Sequence, residues 1–313
     1  MDKSSKIILP GAAGLVGQNL IIELKKQGFS NLVVIDKFTE NVKILESLHP
    51  DIEVINADVS RPGEWQSSFK DADMLIMLQA QIGSKESSDF IRNNIDSAKQ
   101  VMEYVKIFKI PYVVHISSSV VESVANDDYT NTKKEQEKIV AESGVKHCML
   151  RPTLMFGWFD RKHLGWLSRF MQRIPVFPIP GFGKIIRQPL YVRDFCRIIV
   201  SAMQLQPDNK IYNITGCERI YYVDLIKTIR KSIKAKTLIL PIPYMVFWIL
   251  LKVYGLFSKN PPFTPEQLDA LMAADEFEVI PWWDIFSVKA TRFEEAVEET
   301  FHNATYSNIV LKF

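Results

Sequence analysis

The apolar residues of the first half fall in short, nearly unbroken runs. They are Lys6–Leu9, Asn31–Asp36, Ile52–Ile55, Asp73–Leu78, Pro111–Ile116 and Lys146–Leu150. Runs of this length that are apolar at successive positions fit strands buried on both faces, as in a parallel sheet. Between them the spacing changes to that of helices, at Gln18–Gln27, Val42–Leu48, Ser87–Phe108 and Tyr129–Ser143. A further helix is expected to start near Arg61-Pro62. Strands alternating with helices predict a doubly wound α/β sheet with right-handed crossovers.

From Arg151 the pattern loosens. Ile174–Gly183 reads as a proline- and glycine-rich loop, Val192–Met203 as a helix and Lys210–Thr215 as a returning strand. Tyr222–Ile233, Pro265–Ala273 and Arg292–Phe301 have helical spacing. The chain is therefore expected to divide into a sheet domain over 1–152, rejoined by about 186–216, and a smaller lid from 153–185 and 217–313. The apolar run Ile242–Phe257 is shorter than the ~20 residues that a spanning helix needs. It is expected to be a buried helix; the alternative is a helix on a membrane surface, anchored by Tyr244, Trp248 and Tyr254.

Composition changes this picture little. Of 313 residues, 47% are apolar, and 38 basic against 36 acidic residues give a net charge of +2, so nothing points to nucleic acid. Cys148, Cys196 and Cys217 have no metal-ligand spacing and are expected to be reduced thiols of a cytoplasmic protein. The short apolar run at the N-terminus does not read as a signal peptide. No metal site is expected.

The candidate chemistry gathers at strand ends. After the first strand comes Pro10-Gly11-Ala12-Ala13-Gly14-Leu15-Val16-Gly17. Gly11 suits a sharp turn, Gly14 lets a pyrophosphate approach the backbone, and Gly17 lets the helix lie against the strand. The helix N-terminus offers N–H groups to phosphates. Asp36 ends the second strand 19 positions after Gly17, where a carboxylate takes ribose hydroxyls and repels a 2′-phosphate. NAD is thus expected over NADP, with Lys37 working the other way. Asp58-Val59, after the third strand, is placed for adenine; Asp58 is alternatively a helix cap. Leu78-Gln79-Ala80-Gln81 is a turn for the nicotinamide ribose, with Asn94 on the next helix. Ligands bind at strand carboxyl ends in such sheets, which is where all of these lie.

Tyr129 and Lys133 stand four apart, on one helix face. An ammonium beside a phenol lowers its pKa, so the phenolate can take a proton from a substrate hydroxyl while a nicotinamide takes hydride. Ser119 ends the serine run Ser117-Ser118-Ser119, within reach of the same substrate oxygen.

Taken together, Gly11-x-x-Gly14-x-x-Gly17, Asp36, Asp58-Val59, Ser117-Ser118-Ser119, Tyr129-Thr-Asn-Thr-Lys133, Arg151-Pro152-x-x-x-x-Gly157, Gln188-Pro189-x-Tyr191-Val192-x-Asp194 and Tyr212-Asn213-Ile214 resemble the extended short-chain dehydrogenase/reductase superfamily. Within it, the chain resembles the NAD-dependent epimerase/dehydratase family. The resemblance implies a Rossmann fold and bound NAD, held by the residues above together with Ser117 and Pro152. It implies catalysis by Ser119, Tyr129 and Lys133, and a nucleotide-sugar substrate contacted by Gln81, Ser119, Arg187 and Arg193. It also implies a homodimer through the helices Ser87–Phe108 and Tyr129–Ser143. Glu122-Ser123-Val124 stands where sugar epimerases carry a Tyr-Gly pair. That resembles atypical members, among them NAD(P)H-dependent reductases and the non-catalytic accessory subunit of respiratory complex I.

Overall fold

In the computed structural model, residues 1–123, 126–257, 264–272 and 277–312 are described. Seven parallel strands form the central sheet: β1 (Ile7–Pro10), β2 (Leu32–Asp36), β3 (Glu53–Asn56), β4 (Met74–Met77), β5 (Tyr112–Ile116), β6 (Lys146–Pro152) and β7 (Lys210–Ile214). Their order is β7-β6-β5-β4-β1-β2-β3, the Rossmann arrangement, with its switch of direction between β1 and β4.

Alternate residues of each strand serve the two faces. Ile7 and Leu9 join a core with Leu20 and Leu24 of α1 (Leu15–Lys26), while Ile8, Val33, Leu75 and Val113 join a second core with Val101 and Val105. Both faces are covered, so the strands are apolar throughout. Helix α2 (Thr39–Leu48) follows β2, and α3 (Ser97–Ile107) is led in by Ser87–Phe90 and a π-wound stretch, Ile91–Asp96. Helix α4 (Asp128–Ala141) precedes β6; Asp127 caps it by accepting the Thr130 N–H at 2.8 Å. Instead of a helix at Arg61-Pro62, the chain makes a 3₁₀ segment at Glu64–Phe69.

The second half contributes α5 (Leu164–Arg173), α6 (Val192–Leu205), α7 (Tyr222–Ser232), α8 (Tyr244–Phe257), α9 (Pro265–Met272) and α10 (Phe293–His302). Ala273, the expected last residue of α9, lies outside the described residues. The expected loop 174–183 contains a strand, Val176–Pro180, paired in parallel with Leu238–Ile242. Proline fixes an extended φ and lacks only a donor, which a two-stranded ribbon tolerates. Trp282, Phe286 and Val288 pack in the α1/α6 core, and Leu311 packs with Trp158, Phe159 and, from α1, Leu15 and Ile22.

Ile242–Phe257 is not the buried helix expected. In α8 only Phe247 and Leu251 are buried, against Leu268 of α9, while Leu256 and Phe257 are 82% and 86% exposed. The reason is that α8 leans on one helix along one face, and its apolar residues run all the way round. No helix is long and apolar enough to cross a membrane among the described residues.

Candidate functional site

The glycine turn closes tightly around β4. Gly11 has φ +84°, and a Cβ there would lie 2.4 Å from the Gln79 nitrogen. A Cβ on Gly17 would lie 2.2 Å from Ala12 Cα, backbone against backbone. Gly14, by contrast, meets only the Gly11 carbonyl at 3.5 Å, so the space in front of it stays open. Helix α1 starts with neither a side-chain cap nor an acidic residue in its first turn, which leaves its N–H groups and positive dipole end to a ligand. The side chains of Leu15 and Val16 are half-buried, packing back into the core.

Asp36 is 8% exposed, and its carboxylate accepts the Ala13 and Phe38 N–H groups, each at 3.0 Å. Burial pushes its pKa up, and the Phe38 and Ala13 bonds pull it back. Lys37 does not point away from the site's acids. It bonds Asn93 and lies 3.6 Å from Asp58. Asp58 also closes its own turn onto Ser60, at 3.0 Å to the backbone and 2.7 Å to the hydroxyl. The Val59 side chain packs in the second core with Trp65 and Phe69.

The turn after β4 is fixed from behind. Leu78 donates to the Pro10 carbonyl at 3.0 Å, and Ala80 is exposed. Asn94 accepts the Gln81 N–H at 2.6 Å, donates to the Gln81 carbonyl at 3.2 Å, and reaches Thr132 at 2.9 Å. Gln81's own side chain is spent on Gly83 and Asn93. Gln79 is buried with both atoms of its side-chain amide unpaired, and Ser117 Oγ is likewise buried and unpaired. Other buried side chains also lack partners, among them His49, His115 and Thr237, so it is position at the strand ends that singles these two out. With the open Gly14 edge and the uncapped α1, they fit a dinucleotide. A cavity of 660 Å³ lies elsewhere, between Gln27, Arg197 and Phe286 at the sheet's amino edge, away from these groups.

Helix α4 turns one face to this edge: Tyr129, Thr132, Lys133 and Gln136, at spacings of three and four. Lys133 is fully buried; its ammonium donates to the Ile116 carbonyl at 3.1 Å and to Gln136 Oε1. Gln136 in turn donates to the Gln79 carbonyl at 3.3 Å. Burial brings the Lys133 pKa down to about 7, with Glu137 opposing.

Two expectations change here. The hydroxyl that meets the Tyr129 phenol is Ser118's, while Ser119 is buried at the start of the 3₁₀ turn Ser119–Glu122 that Ser118 caps. The phenol is not held down by Lys133. Its pKa is pushed up by burial, lowered by Ser118 and raised again by Asp127, because the lysine is tethered one turn further along. Val124, the last residue of the Glu122-Ser123-Val124 departure, lies outside the described residues.

Pro152 ends β6 and is buried. Arg151, beside it, grips Glu137 with Nε and Nη2, at 2.8 and 2.7 Å, and donates from Nη1 to Glu122 at 2.9 Å. The arginines expected at a diphosphate are occupied otherwise. Arg187 donates to the Leu271 carbonyl in α9, and Gln188 clamps the backbone of Phe277 at 2.9 and 3.0 Å. Arg193 pairs with Glu299 and stacks over Trp158, 4.3 Å from its centroid. Both tie C-terminal segments to the rest of the fold.

Sequence reasoning missed Ser118, Thr132 and Gln136. The last two share the Tyr129/Lys133 helix face, so extending that face by one turn finds them. There are no clusters of metal-ligating residues among the described residues.

Residues 7–215 match the model of the NAD dependent epimerase/dehydratase family. The chain belongs to that family. Its members with solved structures share this fold. UDP-glucuronic acid 4-epimerase from Bacillus cereus, in complex with NAD, superimposes with a TM-score of 0.68 at 22% identity, over 85% of this chain and 99% of that one. UDP-glucose 4-epimerase from Thermotoga maritima, with UDP-glucose, gives a TM-score of 0.73 at 17% identity, over 94% and 97%. By sequence the chain is also similar to mouse mitochondrial NADH dehydrogenase (ubiquinone) 1 alpha subcomplex subunit 9, at 23% identity over 78% of this chain and 67% of that protein.

Proposed function

We propose that the chain binds NAD and acts as an epimerase/dehydratase-type oxidoreductase on a nucleotide sugar. The observation that carries this reading is the α4 face. Tyr129, Lys133 and Gln136 meet the β4 and β5 carboxyl ends beside an open glycine turn and an uncapped helix. The α1 N-terminus and Gly14 hold the pyrophosphate, and Asp36 the adenosine ribose. Gln79 and Ser117 supply the unpaired buried polar atoms nearer the reacting ring. NAD, when bound, supplies a reversible hydride acceptor.

The protein's own part is proton transfer. Tyr129 takes the proton of a sugar hydroxyl and gives it back, while Ser118 bonds the same oxygen. Burial disfavours the phenolate and the Ser118 hydroxyl favours it, while a charged Lys133 would hold the nicotinamide ribose beside it. The bond to Gln136 and the charge of Glu137 support that state. The B. cereus and T. maritima epimerases, crystallised with NAD and with UDP-glucose, support the substrate class.

A second reading is a dinucleotide-binding subunit of a larger assembly, like the mouse protein's place in NADH dehydrogenase. It is favoured by the upward push on the Tyr129 phenol, which disfavours a base there. The test is to release and identify the nucleotide bound to the purified chain, then incubate the chain with UDP-glucose, UDP-glucuronic acid and UDP-N-acetylglucosamine. Conversion that Tyr129→Phe abolishes while keeping its NAD supports the enzyme. Retained NAD with no conversion of any sugar, in either form, gives the chain to the second reading.

A further inference from the structure

The surface around α8 is not explained by a nucleotide site. Tyr244, Phe247, Trp248 and Leu251 form the helix face that packs with α9. The opposite face shows Met245, Val246, Ile249, Leu250, Val253 and Leu256 to solvent. Among the described residues nothing covers it. Leu238 and Leu240, on the strand that leads into α8, are exposed as well, and so is Phe182, at 78%; Gly181, beside Phe182, donates to the Ile242 carbonyl at 2.7 Å. Exposed apolar residues gathered in this way mark an interaction site.

Charge says what kind of partner fits. Positions 161–185 and 217–257 together hold twelve Lys and Arg and only two acids, Glu218 and Asp224, in a chain whose total is +2. The acids of α9, Glu266 and Asp269, belong to the helix on the other face of α8, where Asp269 accepts from the Tyr244 hydroxyl at 2.5 Å. The basic residues include exposed Arg173, Lys184, Lys234 and Lys236, which flank the two paired strands leading into α8. Lys252, the one charge within α8, folds its ammonium over the Trp248 ring at 4.4 Å, leaving the outward face uncharged. A 14-residue helix is about 21 Å long, too short for a ~30 Å hydrocarbon core. An apolar outward face, with Tyr254 exposed on the same helix and a basic rim, suits the boundary between headgroups and acyl chains.

We infer that α8, with the Leu238–Ile242 strand and Phe182, is a docking surface for an anionic lipid bilayer, on which the helix lies without crossing. α8 contains none of the residues of the nucleotide site, so this stands apart from the reaction proposed above.

The test is co-sedimentation of the full chain with phosphatidylcholine vesicles, and with vesicles that also contain phosphatidylglycerol. The chain is expected to sediment with the anionic vesicles roughly tenfold better than with the neutral ones, and less so as salt is raised. Ile249→Glu/Leu250→Glu is expected to abolish binding to both. Lys234→Glu/Lys236→Glu should remove only the gain from anionic lipid. All four positions are exposed, so both variants should melt and titrate NAD as the wild type does. The inference is overturned if the wild type stays in the supernatant with anionic vesicles, or if the Ile249/Leu250 variant sediments equally well. It is also overturned if the wild type is a dimer that this variant splits without any vesicle binding, which gives the surface to a second copy.

Discussion

Gln136 holds Lys133: the amide oxygen accepts from the buried ammonium, and the amide nitrogen of the same side chain donates to the Gln79 carbonyl at 3.3 Å. One residue thereby ties the charged group of α4 to the turn after β4. Gln136→Leu removes both bonds and disfavours the ammonium. Turnover is expected to fall about tenfold or more, with the alkaline limb of the pH–rate profile displaced to lower pH. A profile that only drops, without displacement, would show that Gln136 acts on packing alone.

Lys133 also makes stability depend on pH. Its pKa is about 7 in the folded chain against an ordinary 10.5. Between those values the unfolded chain holds a proton that the folded chain does not, so stability rises with pH across that window. The slope is at most roughly 1.4 kcal/mol per pH unit, and it ends near the unfolded value. Lys133→Met lacks this contribution. Urea unfolding at pH 7, 8 and 9 is expected to show the wild type gaining on the variant at each step; parallel curves would contradict it.

The glycine turn separates two effects that usually travel together. Gly17→Ala drives a Cβ to 2.2 Å from Ala12 Cα, and is expected to cost about 1–3 kcal/mol of stability and to disturb NAD binding. Gly14→Ala meets its nearest atom at 3.5 Å, an ordinary contact. It should leave the melting temperature unchanged while weakening NAD, because the new methyl occupies the phosphate's approach. Calorimetric titration beside a thermal melt distinguishes the two.

Arg151 and Glu137 form a two-pronged pair in which Glu137 is 8% exposed. Arg151→Met strands that charge and is expected to destabilise by about 3 kcal/mol. Arg151→Met/Glu137→Leu should recover much of the loss. Denaturant midpoints for the two variants check this, and equal midpoints would assign the loss to Arg151's packing instead.

What the chain revealed in advance, and what it hid, follows from range. The strands were legible because burial on both faces writes itself into consecutive residues, as in Ile7-Ile8-Leu9. The glycine turn and the Tyr129/Lys133 face were legible because a steric need, or a spacing of four, is local. Which serine of three meets the phenol was not, because that depends on where the 3₁₀ turn capped by Ser118 begins. Nor were the partners of Arg187 and Arg193 legible, since Leu271 and Glu299 lie 84 and 106 residues further on. The apolar character of α8 was plain, but composition does not say how many neighbours a helix will have.

The π-wound stretch Ile91–Asp96 makes chain length itself a functional variable. An α-helix advances about 100° per residue, and a π-turn takes in one residue more per turn. Deleting any single residue there would let regular winding run through. The residues on either side would keep their phase, so Ser87 could still donate to Asp128 as it now does at 2.6 Å. What the deletion displaces is the inside of the wide turn, where Asn94 accepts from Gln81 and donates to Thr132. In this short span a missing residue would be felt at the turn itself and not along the helix.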